Sequence, residues 1–390
     1  MSRVQVELTD IAFQGAAIGR ANDQVVFAAY GIPGETVTVE VERERRDYLQ
    51  GRVLAVVKPS PARVEPPCPY FGECGGCQWQ HIDYQQQVQF KRHIVREQLR
   101  RIGKFDDPPV SPTISSPDPY GYRNQARLTV GPDGQLGFVS RPGRARRFLR
   151  IDRCLIMHPA INAVLAKLQG RARVKHQVVI RWGVNTGQLL VQPELSRQLP
   201  DVPSGQPFYE EELLGRRFRI SASSFFQTHT KQAERLVELV RERIQPTGQE
   251  VVVDAYAGVG TFAVLLAPEV RRVVAIEESS SAVEDAQYNL QGIDNVEYIR
   301  AKVEDVLGDL AMIPDVVILD PPRVGCHPDA LQAVLRLKPR RLVYVSCDPS
   351  TLARDVRVLC DGGYRLRDVT PVDMFPQTYH IESVSTLELA

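Results

Sequence analysis

Five short apolar runs toward the C-terminal end limit the fold of this chain more than any other feature. They are Val251-Val252-Val253, Arg272-Val273-Val274-Ala275-Ile276, Val296-Glu297-Tyr298-Ile299, Val316-Val317-Ile318-Leu319 and Leu342-Val343-Tyr344-Val345, and helix-like stretches separate them. The runs scarcely alternate between apolar and polar residues, so strands built from them are apolar on both faces. Such strands need cover on both sides, which a parallel sheet flanked by helices provides. The prediction is a doubly wound α/β domain over about 230–390, with ligands outside the carboxyl ends of its strands.

The chemistry-bearing residues fall at those ends. Asp254-Ala255-Tyr256-Ala257-Gly258-Val259-Gly260 follows the first run and opens a helix, the setting of a glycine-rich nucleotide loop. The third glycine of the dinucleotide fingerprint is absent, and Glu277 ends the next strand, where an acid suits ribose hydroxyls. The loop resembles the S-adenosylmethionine loop of class I methyltransferases, with NAD(P) as the alternative. Asp320-Pro321-Pro322-Arg323 ends the fourth strand, and prolines cannot continue a central strand. Ser346-Cys347-Asp348-Pro349-Ser350-Thr351-Leu352 follows the fifth, so Asp320 and Cys347 are expected on one sheet edge. A thiol so placed can face a pocket, where cationic groups or helix amides would favour thiolate. Cys326 and Cys360 lack that framing and read as structural. Phe375-Pro376-Gln377-Thr378-Tyr379-His380-Ile381-Glu382 supplies a carboxylate.

Upstream, Val4–Leu8, Gln24–Phe27, Thr36–Val41 and Gly51–Val57 alternate apolar with polar residues, between turns at Gly15, Gly19, Gly31–Gly34 and Asp47. Short strands at this spacing predict a small closed barrel of the oligonucleotide-binding kind. Tyr84–Arg101 reads as a basic amphipathic helix. Arg127–Val130, Leu136–Val139, Val178–Trp182 and Gln188–Val191 read as strands of a β-rich central domain, which Phe218–Ala222 would complete. The net charge of +1 hides an asymmetry: residues 81–247 carry 27 Lys and Arg against 15 Asp and Glu, while residues 248–390 carry 13 against 22. A basic middle suits a polyanion. Within it, Tyr120-Gly121-Tyr122-Arg123-Asn124-Gln125-Ala126-Arg127 interleaves aromatic and basic residues, and Arg141, Arg144, Arg146, Arg147 and Arg150 follow, a pattern that fits phosphate and unpaired bases.

Seven cysteines are an odd number, and the chain shows neither an export signal nor a long uncharged apolar run. Disulfides and a membrane partner are not expected, and the cytoplasm is the default location. Cys68, Cys74 and Cys77 cluster in a Gly- and Pro-rich stretch that forms no regular structure alone, which points to a metal site. Cys154 is the best fourth ligand, because the remaining cysteines lie in the C-terminal half. Four thiolates suit zinc or a [4Fe–4S] cluster, and spacing leaves that choice open.

The Ser346–Asp355 motif, the Asp-Pro-Pro-Arg, the Phe375–Glu382 motif, Ser224-Phe225-Phe226-Gln227 and the amino-terminal segment together resemble the RNA uracil-5-methyltransferase family over essentially the whole chain. The resemblance implies α/β architecture in three parts: a TRAM-like, OB-like β-barrel over 1–60, a central domain with cysteine cluster, basic helix and β-sheet over 61–222, and a Rossmann-like class I methyltransferase domain over 223–390. It implies transfer of a methyl group from S-adenosyl-L-methionine to C5 of uridine, with Cys347 as nucleophile and Glu382 as base. Gln227, Tyr256, Glu277 and Asp320 match the family's cofactor contacts, alongside the loop glycines Gly258 and Gly260. Thr261 stands where some relatives have Asn, and Phe225 and Phe226 are candidates to stack an extruded base. For Cys68, Cys74, Cys77 and Cys154 the resemblance favours [4Fe–4S] over zinc, in a structural role that ties the basic helix to the central domain. The RNA partner it favours is 23S rRNA over tRNA, acted on by a monomer without an obligate protein partner. A NAD(P)-dependent oxidoreductase and a non-catalytic RNA-binding protein are the competing readings.

Overall fold

The computed structural model describes residues 2–140 and 147–390; Arg141, Arg144 and Arg146 lie outside the described residues. Strands Arg3–Ile11, Ala17–Ala21, Gln24–Ala29, Thr36–Glu44 and Tyr48–Lys58 close into a barrel around Val6, Leu8, Val26, Val37, Val39 and Leu49. One strand differs from the sequence expectation. Gly19 lies inside Ala17–Ala21 instead of in a turn, and a Cβ there would meet the Glu7 carbonyl oxygen at 2.3 Å. Glycine therefore permits the close approach of two strands.

An antiparallel five-stranded sheet follows, in the order Leu189–Gln192, Gln177–Trp182, Gln125–Val130, Leu136–Val139, Phe148–Arg150, and helix Pro159–Leu168 packs its Ile161, Leu165 and Leu168 into the same core. Phe218 does not complete this sheet. It belongs to a separate hairpin, Phe208–Leu213 with Arg216–Ser221, whose Tyr209, Phe218 and Ile220 join the core of the C-terminal sheet. Helix Tyr84–Arg101 also turns away from the central sheet. Its Ile94, Val95 and Leu99 share a core with Leu342, Tyr344, Leu352 and Val356.

The C-terminal sheet has seven strands in the order Val296–Arg300, Arg272–Glu277, Val251–Ala255, Val316–Leu319, Arg341–Ser346, Glu382–Leu389, Tyr364–Val372. All run parallel except Glu382–Leu389, which is antiparallel to both its neighbours. Alternate residues face opposite cores: Val253, Val317, Leu342 and Tyr344 one side, Val252, Val316, Val343 and Val345 the other. That two-sided burial is why the runs scarcely alternate. Strand order reverses between Val251–Ala255 and Val316–Leu319, which opens a crevice at their carboxyl ends.

Candidate active site

Inversion of the last strand creates the site. Strand Arg341–Ser346 pairs antiparallel with Glu382–Leu389, and Ser346 opposes Ser383. Extending that register by one residue sets Cys347 opposite Glu382, so an acid 35 positions away in sequence reaches the edge where the parallel strands end. Asp320 ends the neighbouring strand on the other side of Cys347.

Two motifs lock each other there. Asp348 caps helix Pro349–Asp361 by accepting from the Ser350 and Thr351 amides, while Ser346 Oγ accepts from the Asp348 amide at 3.2 Å. Thr351 Oγ1 donates to the Arg323 carbonyl at 3.3 Å, and Arg354 Nη2 to that of Val324 at 2.9 Å. Asp355 accepts from the Cys326 amide at 2.9 Å and from Tyr344 at 2.6 Å. The helix after the cysteine thus holds the loop after Asp-Pro-Pro, and Arg323 stands close enough to both Cys347 and Glu382 to oppose the shifts of their pKa.

Burial pushes the half-buried Cys347 thiol up to about 12, and the carboxylates of Glu382, Asp320 and Asp348 add to it against Arg323. Burial likewise raises Glu382 well above the carboxylate range, with Asp320 adding and Arg323 opposing. Asp320 rises to about 7 by burial alone. Burial thus favours the thiol over the thiolate and the neutral carboxyl over the carboxylate in the resting site, with Arg323 pulling both the other way.

The crevice beside them suits a cationic nucleotide-like cofactor. Tyr256, Gly258 and Gly260 have φ of 67°, 58° and 84°, and a Cβ on Gly258 would meet nothing within 4 Å, so the loop backbone lies open to a ligand. Glu277 accepts from the Gly258 amide at 2.9 Å and from the Ser279 amide at 2.8 Å. Asp254 accepts from the Ala263 amide through Oδ2 at 3.0 Å, while its buried Oδ1 has no partner among the described residues. Its pKa climbs to about 8 through burial, then through Asp320 and Glu277. A sulfonium cation would relieve this crowding of acids, so the residues fit S-adenosylmethionine. Tyr298, which the sequence marks only as part of a strand, donates its hydroxyl to the Gly258 carbonyl.

The other predicted site residues are distributed unevenly. The hydroxyl of half-buried Tyr256 lies by Cys326, and its ring packs on the hydrophobic core. Gln227 is half-buried, with its carbonyl held by Asn124 Nδ2 at 3.0 Å, and the same loop is pinned by Ser224 Oγ on Asp285 at 2.6 Å. Phe226 is buried against Phe218, whereas Phe225 is 71% exposed. Cys326 is buried and Cys360 half-buried. Tyr122, expected on an RNA face, is instead buried, stacked on His229 with centroids 4.8 Å apart.

Cys68, Cys74, Cys77 and Cys154 line one cavity of about 150 Å³. Burial raises the thiols of Cys77 to about 12 and Cys154 to about 11, and the neighbouring cysteines reinforce both shifts. Among the described residues, no group of three or more His, Cys, Asp or Glu stands at coordinating distance for a metal ion. No helix among them is long and apolar enough to cross a membrane.

Known proteins resemble this chain over its whole length. Residues 212–389 match the tRNA (uracil-5-)-methyltransferase family model, and residues 2–54 the TRAM domain model. An uncharacterized RNA methyltransferase of Gloeobacter violaceus is 38% identical, covering 99% of this chain and 96% of its own length. One from Halalkalibacterium halodurans is 36% identical, covering 99% and 97%. The crystal structure of the Pyrococcus abyssi tRNA (uracil-54, C5)-methyltransferase in complex with S-adenosyl-L-homocysteine is 27% identical, with a TM-score of 0.80 over 98% of this chain and 99% of that one. These matches set the chain apart from an oxidoreductase, and it belongs to the RNA (uracil-5-)-methyltransferase family of S-adenosylmethionine-dependent enzymes.

Proposed function

We propose that this enzyme methylates C5 of a uridine through a covalent adduct between Cys347 and C6 of the base, with Glu382 as the base that removes the C5 proton. The reading is carried by the register that sets Cys347 against Glu382 beside Asp320. Uracil C5 is too weak a nucleophile to take a methyl group unaided. Once the thiol has given its proton to solvent water, its sulfur bonds to C6 and the C5–C6 π electrons move toward the C4 oxygen as an enolate. S-adenosylmethionine supplies an electrophilic methyl group. After C5 has taken that methyl, the Glu382 carboxylate removes the C5 proton, C5=C6 re-forms, and the C6–S bond breaks to return the thiolate. Arg323 favours the ionised forms of both Cys347 and Glu382, the states these steps require. Gln227, Tyr256, Gly258, Gly260, Glu277 and Asp320 are assigned to the cofactor.

For the RNA, Phe225 is the stacking platform and Phe226 a core residue. A cleft of about 830 Å³ between barrel and central sheet, lined by Phe27, Tyr48, Arg52, Arg147, Phe148 and Tyr379, has the mixture of aromatic faces and arginine that unpaired RNA needs. Our assignment is 23S rRNA, acted on by a monomeric enzyme. tRNA is the second reading, favoured by the name of the Pyrococcus abyssi neighbour. Cys68, Cys74, Cys77 and Cys154 are assigned to a [4Fe–4S] cluster, because one buried and three half-buried cysteines around one cavity suit four-thiolate ligation. A brown protein after anaerobic purification supports the cluster, and a colourless one with stoichiometric zinc refutes it.

Release of tritium from [5-³H]uridine RNA tests the reaction, since only substitution at C5 displaces that hydrogen. Separate rRNA and tRNA substrates decide the RNA. No release from either contradicts the proposed reaction.

A further inference from the structure

The Phe375–Thr378 motif contributes no assigned group to the chemistry, yet it is among the most heavily held loops in the molecule. Three consecutive carbonyls are claimed by one upstream stretch of chain. Lys91 Nζ donates to Phe375 at 3.0 Å, Tyr122 Oη to Pro376 at 3.0 Å, and the amides of Gln78 and Trp79 both donate to Gln377 at 3.1 Å. Gln377 also pairs with the Gln87 side chain: its backbone amide donates to Gln87 Oε1 at 3.0 Å, and its own Oε1 accepts from Gln87 Nε2 at 3.0 Å. Both glutamines are buried, at 0% and 2% exposure, and Gln377 has a φ of 67°. A left-handed glutamine in a buried site persists only where its surroundings over-determine it.

This loop leads directly into Glu382, the first residue of the last strand. The stretch that grips it begins next to Cys77, which lines the four-cysteine cavity, so one peptide bond separates Cys77 from the first amide on Gln377. We propose that Gln87 and Gln377 are positioning residues that aim Glu382, and that the four-cysteine site acts on catalysis by seating Gln78 and Trp79 on the Gln377 carbonyl. The proposal rests on the assignment of Glu382 as the base. It makes the cysteine segment a clamp on one catalytic step, removal of the C5 proton, and gives that segment no part in electron transfer.

The test compares full-length Gln87→Leu and Gln377→Asn with Glu382→Gln, using RNA and S-adenosylmethionine. Asn tolerates the left-handed backbone but is one methylene too short to hold Gln87. Both positioning variants are expected to keep KM for either substrate within about twofold and to lose kcat by on the order of 10²-fold, as a base displaced by about 1 Å would. Both should also accumulate an SDS-resistant protein–RNA adduct, which simple loss of folded enzyme would not produce. If Glu382→Gln traps adduct while both variants turn over normally, or lose kcat without adduct, the positioning role is wrong. If Glu382→Gln itself traps none, the mechanism fails instead, and hydrogen exchange then decides the clamp. Exchange at the 377–379 amides should quicken at least about tenfold in Cys68→Ser with no substrate present. Unchanged exchange there overturns the link to the cysteines.

Discussion

Lys91 and Asp373 form an ion pair whose disruption should be severe, because both side chains are fully buried. Lys91 Nζ lies 2.6 Å from Asp373 Oδ1 and also donates to the Phe375 carbonyl, while Tyr84 donates to Asp373 Oδ2 at 2.8 Å. Lys91→Met keeps most of the aliphatic stem but leaves a buried carboxylate with one neutral donor. Breaking a buried pair from one side costs about 3–5 kcal/mol. Replacing both partners, as in Lys91→Met with Asp373→Asn, removes the stranded charge and should recover all but about 1–2 kcal/mol of that loss. The assay is denaturant unfolding followed by fluorescence in a Trp182→Phe background. Trp79, buried 5.9 Å from Lys91 Nζ, then reports on this region, and only two tryptophans are present. A single-variant loss below about 1 kcal/mol, or a double variant as unstable as the sum of both singles, would refute the reasoning.

Two further predictions concern the cofactor crevice and the stacking face. The carboxyls of Asp320 and Asp254 are raised to about 7 and about 8, so their stabilising contribution to the apoprotein is complete below the unfolded value of 3.8 and fades as pH rises through those values. A bound cation favours their ionised forms. Affinity for S-adenosylmethionine should therefore rise with proton release between about pH 6 and about pH 9, and more steeply than that for S-adenosylhomocysteine, which has the same amino group but no sulfonium. Parallel pH profiles in titration calorimetry would contradict this. Phe225→Ala should leave the melting temperature unchanged and raise KM for RNA, whereas Phe226→Ala should destabilise by about 3–5 kcal/mol; thermal melts and steady-state kinetics distinguish the two.

The sheet was legible because burial on both faces leaves a direct trace in composition, and Val251–Ala255 through Arg341–Ser346 are strands as the apolar runs implied. Asp320 and Cys347 could be placed on one edge because consecutive parallel strands end on the same side. Strand Ala17–Ala21 escaped because Gly19 serves a close strand approach that resembles a turn signal in sequence. The destination of helix Tyr84–Arg101 was not legible either. Its apolar stripe says that it packs, not what it packs on, and nothing local to Lys91 in the sequence points to its partner 282 residues away. For the same reason Tyr122 read as an RNA-facing aromatic, although its hydroxyl reaches the Pro376 carbonyl. Tyr298 and Arg323 become visible as site residues only when the strand order brings them beside Gly258 and Cys347.

The decisive observation is the chemical bond itself. Glu382→Gln enzyme incubated with RNA and S-adenosylmethionine, digested by nuclease and protease, should yield a peptide spanning Cys347 that carries one uridine nucleotide and one additional methyl group. A nucleotide attached to any other residue, or full methylation of RNA by Cys347→Ala, would contradict the account.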